Sequence, residues 1–446
     1  MKRSISWLLL ALTAVPVQAQ EPLTLAEAVE RALAKFPSVE TARARQEEAA
    51  AALAAEELSR RVRGRFTASA TQFQEPMVVT PIHGFGPGLF PEFDETLLQG
   101  QLTVSYTLYD GRATEARIRA ARSQLGGAGA ALGDAEQALG ARVAAAYLRA
   151  VGRSRVLAAH DRRLAALDAE LGRARQRFDV GKAPQVEVIR AEAALEGARA
   201  ERVSYATALD NAERELARLL GAPVEETRAA RLAPVQSRAG TPPDREALIQ
   251  AGIEASPAVL QAREQLASAE AAVTLAESAL KPELRAVANL NEWSSSDLDL
   301  TTEWNAGFQL TVPLFDGGSL RKRVARAEAA RRAAAEQVRL AEIAVREDVD
   351  RAAAAAEEAR ARVESLEKAV ERFAEVSRVQ KLLLDNGAGT QTDYLTAEAD
   401  LLAARANLAD AEHAAVLARV DLARAAGRLT PAWIRENLRE TMEREP

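Results

Sequence analysis

Residues 177–199, RFDVGKAPQVEVIRAEAALEGAR, return 206 positions later as residues 383–405, LLDNGAGTQTDYLTAEADLLAAR, with glycine, glutamine, acid and Ala-Glu-Ala positions in register. The same ungapped offset of 206 links Tyr109-Asp110-Gly111 to Phe315-Asp316-Gly317 and Leu216-Ala217-Arg218 to Leu422-Ala423-Arg424. Upstream the offset is 220, relating Pro37 to Pro257 and Arg65 to Arg285, so the first copy holds 14 extra residues between Gln72 and Gln101. The chain is built twice. Duplication at this scale produces solenoids, propellers or paired transporter halves, and the contents of one unit decide between them.

Most of each unit reads as helix. Segments 38–62, 112–178 and 184–220, with 244–281, 318–384 and 391–427 in the second copy, are rich in Ala, Leu, Glu and Arg, which favour helix. In the first long segment Val143, Ala150, Leu157, Leu164, Leu171 and Phe178 recur every seven residues, and their counterparts are Val349, Ala356, Val363, Val370, Ser377 and Leu384. Both copies thus carry a coiled-coil seam. At about 1.5 Å per residue each long segment extends for about 100 Å, which predicts a long, thin chain with little compact core. Gly181 to Pro184 and Asn386 to Thr390 interrupt the pattern and fold the helices back as hairpins. Gly126, Gly127, Gly129, Gly133 and Gly140 read as close helix contacts or local flexibility.

Between helices the period changes to two. Leu98, Gly100, Leu102, Val104, Tyr106 and Leu108 alternate with Gln99, Gln101, Thr103, Ser105 and Thr107. In the second copy Trp304, Ala306, Phe308, Leu310, Val312 and Leu314 alternate with Asn305, Gly307, Gln309 and Thr311. Strands are expected at about 65–73, 97–109, 284–293 and 303–315. One apolar and one small polar face, with aromatics gathered at the strand ends, suit tilted strands crossing a bilayer around a wet interior. Leu102, Val104, Tyr106, Phe308, Leu310 and Val312 are the expected lipid-facing residues. A soluble sandwich is the competing reading, and it leaves the long helices unexplained.

The N-terminus bears on compartment. Lys2 and Arg3, an apolar run from Trp7 to Val15, and Val17-Gln18-Ala19 read as a cleavable signal peptide over residues 1–19. The sequence has no cysteine, which excludes a lipoprotein anchor and a disulfide framework. With 58 basic against 64 acidic residues interleaved along helices, the charge argues against a nucleic-acid partner. No later stretch approaches the roughly 20 apolar residues of a spanning helix, so membrane insertion has to use strands.

A lipid-exposed sheet cannot keep open edges, because each unpaired backbone group in hydrocarbon costs several kcal/mol. Four strands do not close alone. Two copies would give eight strands, typically filled by side chains, and three would give twelve with room for an aqueous lumen.

The duplicated order of helix, strand pair, long helix, tip and returning helix resembles the outer-membrane efflux protein (TolC-like outer membrane factor) family. So do the Leu-Tyr-Asp-Gly and Leu-Phe-Asp-Gly turns at 108–111 and 314–317, and the tip pattern Gly387, Thr390, Asp393, Leu395, Ala397. The resemblance implies an α+β membrane protein: a homotrimer whose four strands per protomer share a twelve-stranded outer-membrane β-barrel continuing into a helical coiled-coil barrel. Segments 38–62 with 184–220, and 244–281 with 391–427, would act as two-piece helices, while 221–243 and the tail 428–446 would form a mid-tunnel belt. It further implies a passive exit duct of a tripartite efflux or type I secretion system, working with a periplasmic adaptor and an inner-membrane pump, in contact with outer-membrane lipid. The adaptor would meet the tips, here Val180, Gly181, Lys182, Asn386, Gly387 and Ala388. Asp393 would line the entrance, where three carboxylates attract cations. A second acid is replaced by Thr396 and a tip arginine by Gly389. Asp393 also reads as a helix N-terminal acid behind a Thr390 or Thr392 cap.

Enzyme chemistry finds no support in the sequence. The three histidines, His83, His160 and His413, lack metal-ligand spacing, His160 occupies a seam position whose counterpart is Leu366, and no cofactor motif is present. His83 falls in a Pro- and Gly-rich stretch, 76–91, expected to be a long external loop. Two other classes of function are a barrel-anchored trimeric surface stalk, disfavoured by the internal duplication, and a soluble coiled-coil adaptor, which should carry a lipoyl-like domain.

Overall fold

The computed structural model describes residues 22–79, 81–82, 91–182, 184–237 and 244–440; the expected signal peptide and His83 lie outside them. The first unit runs α1 (Leu25–Lys35), α2 (Pro37–Leu58), β1 (Arg63–Val78), β2 (Phe93–Tyr109), α3 (Ala113–Asp179) and α4 (Gln185–Leu220), followed by α5 (Val224–Ala229) and β3 (Val235–Ser237). The second runs α6 (Arg245–Ala255), α7 (Pro257–Ser278), β4 (Glu283–Ser294), β5 (Thr301–Thr311), α8 (Ser319–Asp385) and α9 (Gln391–Ala425), then α10 (Pro431–Asn437) and β6 (Leu438–Glu440). Adding 220 to the bounds of α1 and α2 gives those of α6 and α7, and adding 206 to α3 gives α8.

At the helix boundaries two features differ from the sequence reading. The expected unbroken helix 244–281 is split, because Ser256, ahead of Pro257, is extended at φ −63°, ψ 126°. Proline sterically disfavours the helical region for the residue before it. Phe36 before Pro37 does the same at φ −74°, ψ 131°, and separates α2 from α1, a helix that the sequence reading did not anticipate. Helix α1 starts on a capping box in which the Thr24 hydroxyl accepts from the Glu27 amide and the Glu27 carboxylate accepts from the Thr24 amide.

Helices α3 and α8 are each 67 residues long and organise everything below the sheet. Along α3 the charged pairs show which helix covers which part. Arg117 and Arg122 reach Glu56 and Glu57 of α2 near the strands, whereas Arg149 and Arg175 reach Glu215 and Glu192 of α4. Most of the heptad positions are partly or fully buried even in a single protomer, from Val143 and Val349 at 0 % exposure to Ser377 at 5 %, although Phe178 near the tip stays exposed.

The largest core is a belt around the middle of α3, which corrects the expectation of little compact core. Leu25, Val29, Tyr147, Leu148, Leu216, Val420, Ile434 and Leu438 pack together there, and β3 pairs antiparallel with β6 at its edge. The Tyr147 hydroxyl lies 2.6 Å from the Leu23 carbonyl oxygen and 2.8 Å from that of Ala233. This one side chain therefore fastens the N-terminal segment and the inter-repeat linker to α3. Tyr147→Phe is expected to cost about 1–3 kcal/mol, the price of a buried carbonyl oxygen losing its hydroxyl donor. Denaturant unfolding of the purified protein measures it, and an unchanged midpoint would show that the hydroxyl does not hold the belt.

The other sheet has the order β1-β2-β4-β5, antiparallel throughout, so strands from both repeats sit side by side and β1 and β5 are its edges. Among the described residues no second sheet covers its apolar face, where Trp304 and Phe308 are each 77 % exposed. A sandwich core is therefore absent there.

Candidate functional site

Cross-strand register sorts the sheet into two chemical faces, since paired residues point the same way. Leu102 pairs with Phe66 and Leu290, Val104 with Ala288, and Tyr106 with Ala286, while Ala286 pairs in turn with Phe308 and Leu284 with Leu310. Five of the six expected lipid-facing residues share this face. Val312 falls one residue past the end of β5. The opposite face carries a hydrogen-bonded ladder. Gln101 Nε2 donates to Asn291 Oδ1 at 2.9 Å, Thr103 Oγ1 donates to Asn289 Oδ1 at 2.8 Å, and Asn289 Nδ2 donates to Asn305 Oδ1 at 2.9 Å. Bilayer-compatible strands need one face of each kind.

Each β-hairpin enters its long helix through an Asp-Gly turn. Asp110 accepts from the Arg112 and Thr114 amides at 3.2 and 2.7 Å, and Asp316 accepts from the Gly318 amide at 3.0 Å and from the Leu320 amide. These backbone bonds, first from Leu320 and then from Gly318, hold the Asp316 carboxyl below its ordinary pKa. The turn puts two successive residues in the left-handed region, Gly111 and Arg112 at φ 64° and 81°, Gly317 and Gly318 at 67° and 84°. Arg112 bears a strain of roughly 1 kcal/mol there that Gly318 avoids.

At the far end the hairpin tips close by the same device. Gly181 at φ 71° and Gly387 at φ 73° end α3 and α8, with Lys182 N donating to Arg177 O at 2.8 Å and Ala388 N to Leu383 O at 2.9 Å. Val180, Gly181, Lys182, Asn386, Gly387 and Ala388 are all exposed. Gly389 is there for space: a Cβ would lie 2.9 Å from Leu383 Cβ and 3.2 Å from backbone, so the turn itself excludes a side chain.

Asp393 is exposed in the first turn of α9, where the Thr390 hydroxyl accepts from its amide at 3.2 Å and donates to its Oδ2 at 2.7 Å. Its counterpart Glu187 is bound differently, by Arg177 at 2.8 Å. Position 177 corresponds to Leu383, so the second repeat has lost the cation that neutralises the first. Among the described residues Asp393 has no cationic partner.

The two hairpins touch just above the tips. Gln391 Nε2 donates to Oε1 of the buried Glu170 at 3.2 Å, Arg173 holds the other oxygen of Glu170 at 2.6 and 2.9 Å, and Arg190 donates to Thr392 Oγ1 at 3.1 Å. Leu395 packs on a cluster of Leu167, Leu171, Ala191 and Leu195. The sequence reading did not single out Glu170, Gln391 or Arg177. Charge mismatches at the repeat offset mark two of them: Glu170 stands opposite Val376, and Arg177 opposite Leu383.

The described histidines pack. His160 stacks on Tyr205 with ring centroids 4.0 Å apart. His413 is buried against Gly152 of α3, where a Cβ would come within 2.7 Å of its ring, and burial, followed by Arg155, pushes its pKa down.

A sheet with one lipid-compatible face, continued by coiled-coil hairpins about 100 Å long, defines an outer-membrane channel fold. Solved structures of that architecture superpose on it. A membrane protein from Pseudomonas aeruginosa matches with a TM-score of 0.75 at 24% identity, covering 90% of this chain and 93% of its own. The Campylobacter jejuni CmeC outer membrane channel matches with a TM-score of 0.75 at 18% identity, covering 91% of this chain and 85% of its own. The family model for outer membrane efflux protein matches residues 28–222 and 248–428, one match per repeat, and the chain belongs to that family. The outer membrane efflux protein BepC of Brucella suis biovar 1 (strain 1330) is 24% identical over 339 residues, 74% of this chain and 72% of BepC.

Proposed function

We propose that three copies of this chain close a twelve-stranded barrel in the outer membrane and continue below it as one helical tunnel. The assembly acts as the passive exit duct of a tripartite efflux or secretion system. One observation carries the reading: an antiparallel four-stranded sheet with an apolar face and two free edges, β1 and β5. In an even-stranded antiparallel sheet the two edges run in opposite directions, so β5 of one copy meets β1 of the next in antiparallel register and a ring closes without an open edge. Two copies would supply eight strands, whose interior side chains fill, and three leave a lumen.

The polar ladder lines that lumen, and the exposed tips at the opposite end meet a periplasmic adaptor which links the duct to an inner-membrane pump. Asp393 of each copy rings the entrance. Glu187, neutralised by Arg177, does not contribute a comparable charge. The Glu170–Gln391 and Arg190–Thr392 bonds hold the two hairpins of each copy together at the entrance. The protein transports without chemistry, and no cofactor enters the reading. Reconstitution of the detergent-purified protein in planar bilayers tests it: discrete, voltage-tolerant conductance steps are expected, and a protein that stays in the soluble periplasmic fraction and never conducts would overturn it.

A further inference from the structure

The start of α8 is chemically unlike the start of α3, although the two helices superimpose by the repeat. In α3 the first turn carries Glu115, which suits the positive end of the helix dipole and lies 3.8 Å from Arg112. Its counterpart in α8 is Arg321, followed by Lys322, Arg323 and Arg326, with no acid until Glu328. Cations at a helix N-terminus are disfavoured by the dipole, so the second repeat gives up local stability here. All four side chains are exposed, and among the described residues no acid lies within ion-pair range of them. The adjacent carboxylate, Asp316, feels Arg321 but is committed to the amides of Gly318 and Leu320.

Repeat equivalence also shows what a neighbouring copy would bring. Arg117 of α3 is paired with Glu56, but the residues matching this pair in the second repeat are Arg323 and Ala276. The acids that α7 sets beside the start of α3, Glu264 and Glu270, correspond to Ala44 and Ala50 on α2. The last ten residues of α2 contain only Glu56 and Glu57 as acids, and both already serve Arg117 and Arg122. Among the protomer's described residues the cluster is unpaired, and the two acids of α2 nearest the strands are already engaged, leaving Glu47 and Glu48, further from the strand ends, as the nearest acids that a neighbouring α2 would bring. Immediately before it, where the strand has ended, Leu314 and Phe315 are 92 % and 94 % exposed. Apolar and aromatic side chains at the strand end, with cations one to two turns further from the bilayer, match the order of acyl chain and phosphate in a leaflet.

We infer that Arg321, Lys322, Arg323 and Arg326 form a headgroup site for anionic phospholipid of the periplasmic leaflet, with Leu314 and Phe315 seated in the acyl boundary above. The inference rests on the outer-membrane reading, since only that reading brings the strand ends to a leaflet. A basic side chain near an anionic surface contributes about 1 kcal/mol, which is about fivefold in binding for each residue. The test titrates the detergent-purified full protein with phosphatidylglycerol or phosphatidylcholine and counts retained lipid by native mass spectrometry.

The wild type is expected to bind phosphatidylglycerol at least about tenfold more tightly than phosphatidylcholine. The R321Q/K322Q/R323Q/R326Q variant should lose that preference, and R331Q/R332Q, further down α8, should keep it. An undiminished preference in the four-residue variant, or displacement of phosphatidylglycerol by equimolar inorganic phosphate, would overturn the lipid site. Recording in phosphatidylcholine bilayers separates the two levels. Wild-type conductance together with a failed lipid preference overturns the site alone, whereas absent conductance overturns the duct reading and the site with it.

Discussion

Val104→Lys is expected to destabilise the membrane-inserted protein by about 2–4 kcal/mol, the cost of a cation on a lipid-facing strand near the bilayer midplane. Val104 pairs with Ala288, which pairs with Ala306, halfway along the strands β4 and β5. Thr103→Lys, one residue away, points to the ladder face beside Asn289 and is expected to be nearly neutral. Chemical denaturation from liposomes, with the amount of heat-resistant assembly as a second readout, compares them. Equal losses at the two positions would mean that the faces have been assigned wrongly.

Asp393→Ala is expected to change selectivity far more than stability. A cation about 4 Å from one carboxylate gains about 1 kcal/mol in bulk water. Removing three from a ring should therefore lower cation preference about tenfold or more even after salt screening. The cap survives, because Thr390 still accepts from the backbone amide of residue 393. Glu187→Ala should act differently: it releases Arg177 from its partner and adds positive charge to the first hairpin without touching the ring. Reversal potentials in asymmetric salt distinguish the two, and an unchanged value in Asp393→Ala would reduce this residue to a helix-end acid.

What the sequence made legible follows from local physics and from the duplication. The 220 offset carries α1 and α2 onto α6 and α7, and the 206 offset carries α3 onto α8, residue for residue, because the same sequence signals bound the long helices: Asp110 and Asp316 in the turns before them, Gly181 and Gly387 at the tips that end them. Strand faces were readable because period two survives without any tertiary partner. The α1 helix was not anticipated, and α6 was not separated from α7, since alanine-rich composition hides a boundary that only the residue before Pro257 marks. The resemblance placed a mid-tunnel belt at 221–243 and 428–446, but the part that Tyr147 and the N-terminal segment play in it was missed. The belt is assembled from segments more than 80 residues apart, and no local pattern announces a hydroxyl shared between Leu23 and Ala233. The same holds for Gly389, whose need for space depends on how closely Leu383 approaches it.

The central claim is that each copy's sheet is closed by another copy, and a cross-link tests it most directly. Within the protomer Thr103 pairs with Asn289, and the repeat offsets translate this pair into Gln309 on β5 opposite Ser69 on the neighbour's β1. These positions sit at opposite edges of one protomer's sheet, and the sequence has no cysteine to interfere. Ser69→Cys with Gln309→Cys, oxidised in outer membranes and run without reductant, should give a covalent ring of three chains that collapses to monomer on reduction. Free thiols on a chain that stays monomeric, or a ladder that continues beyond three, would contradict the closed barrel.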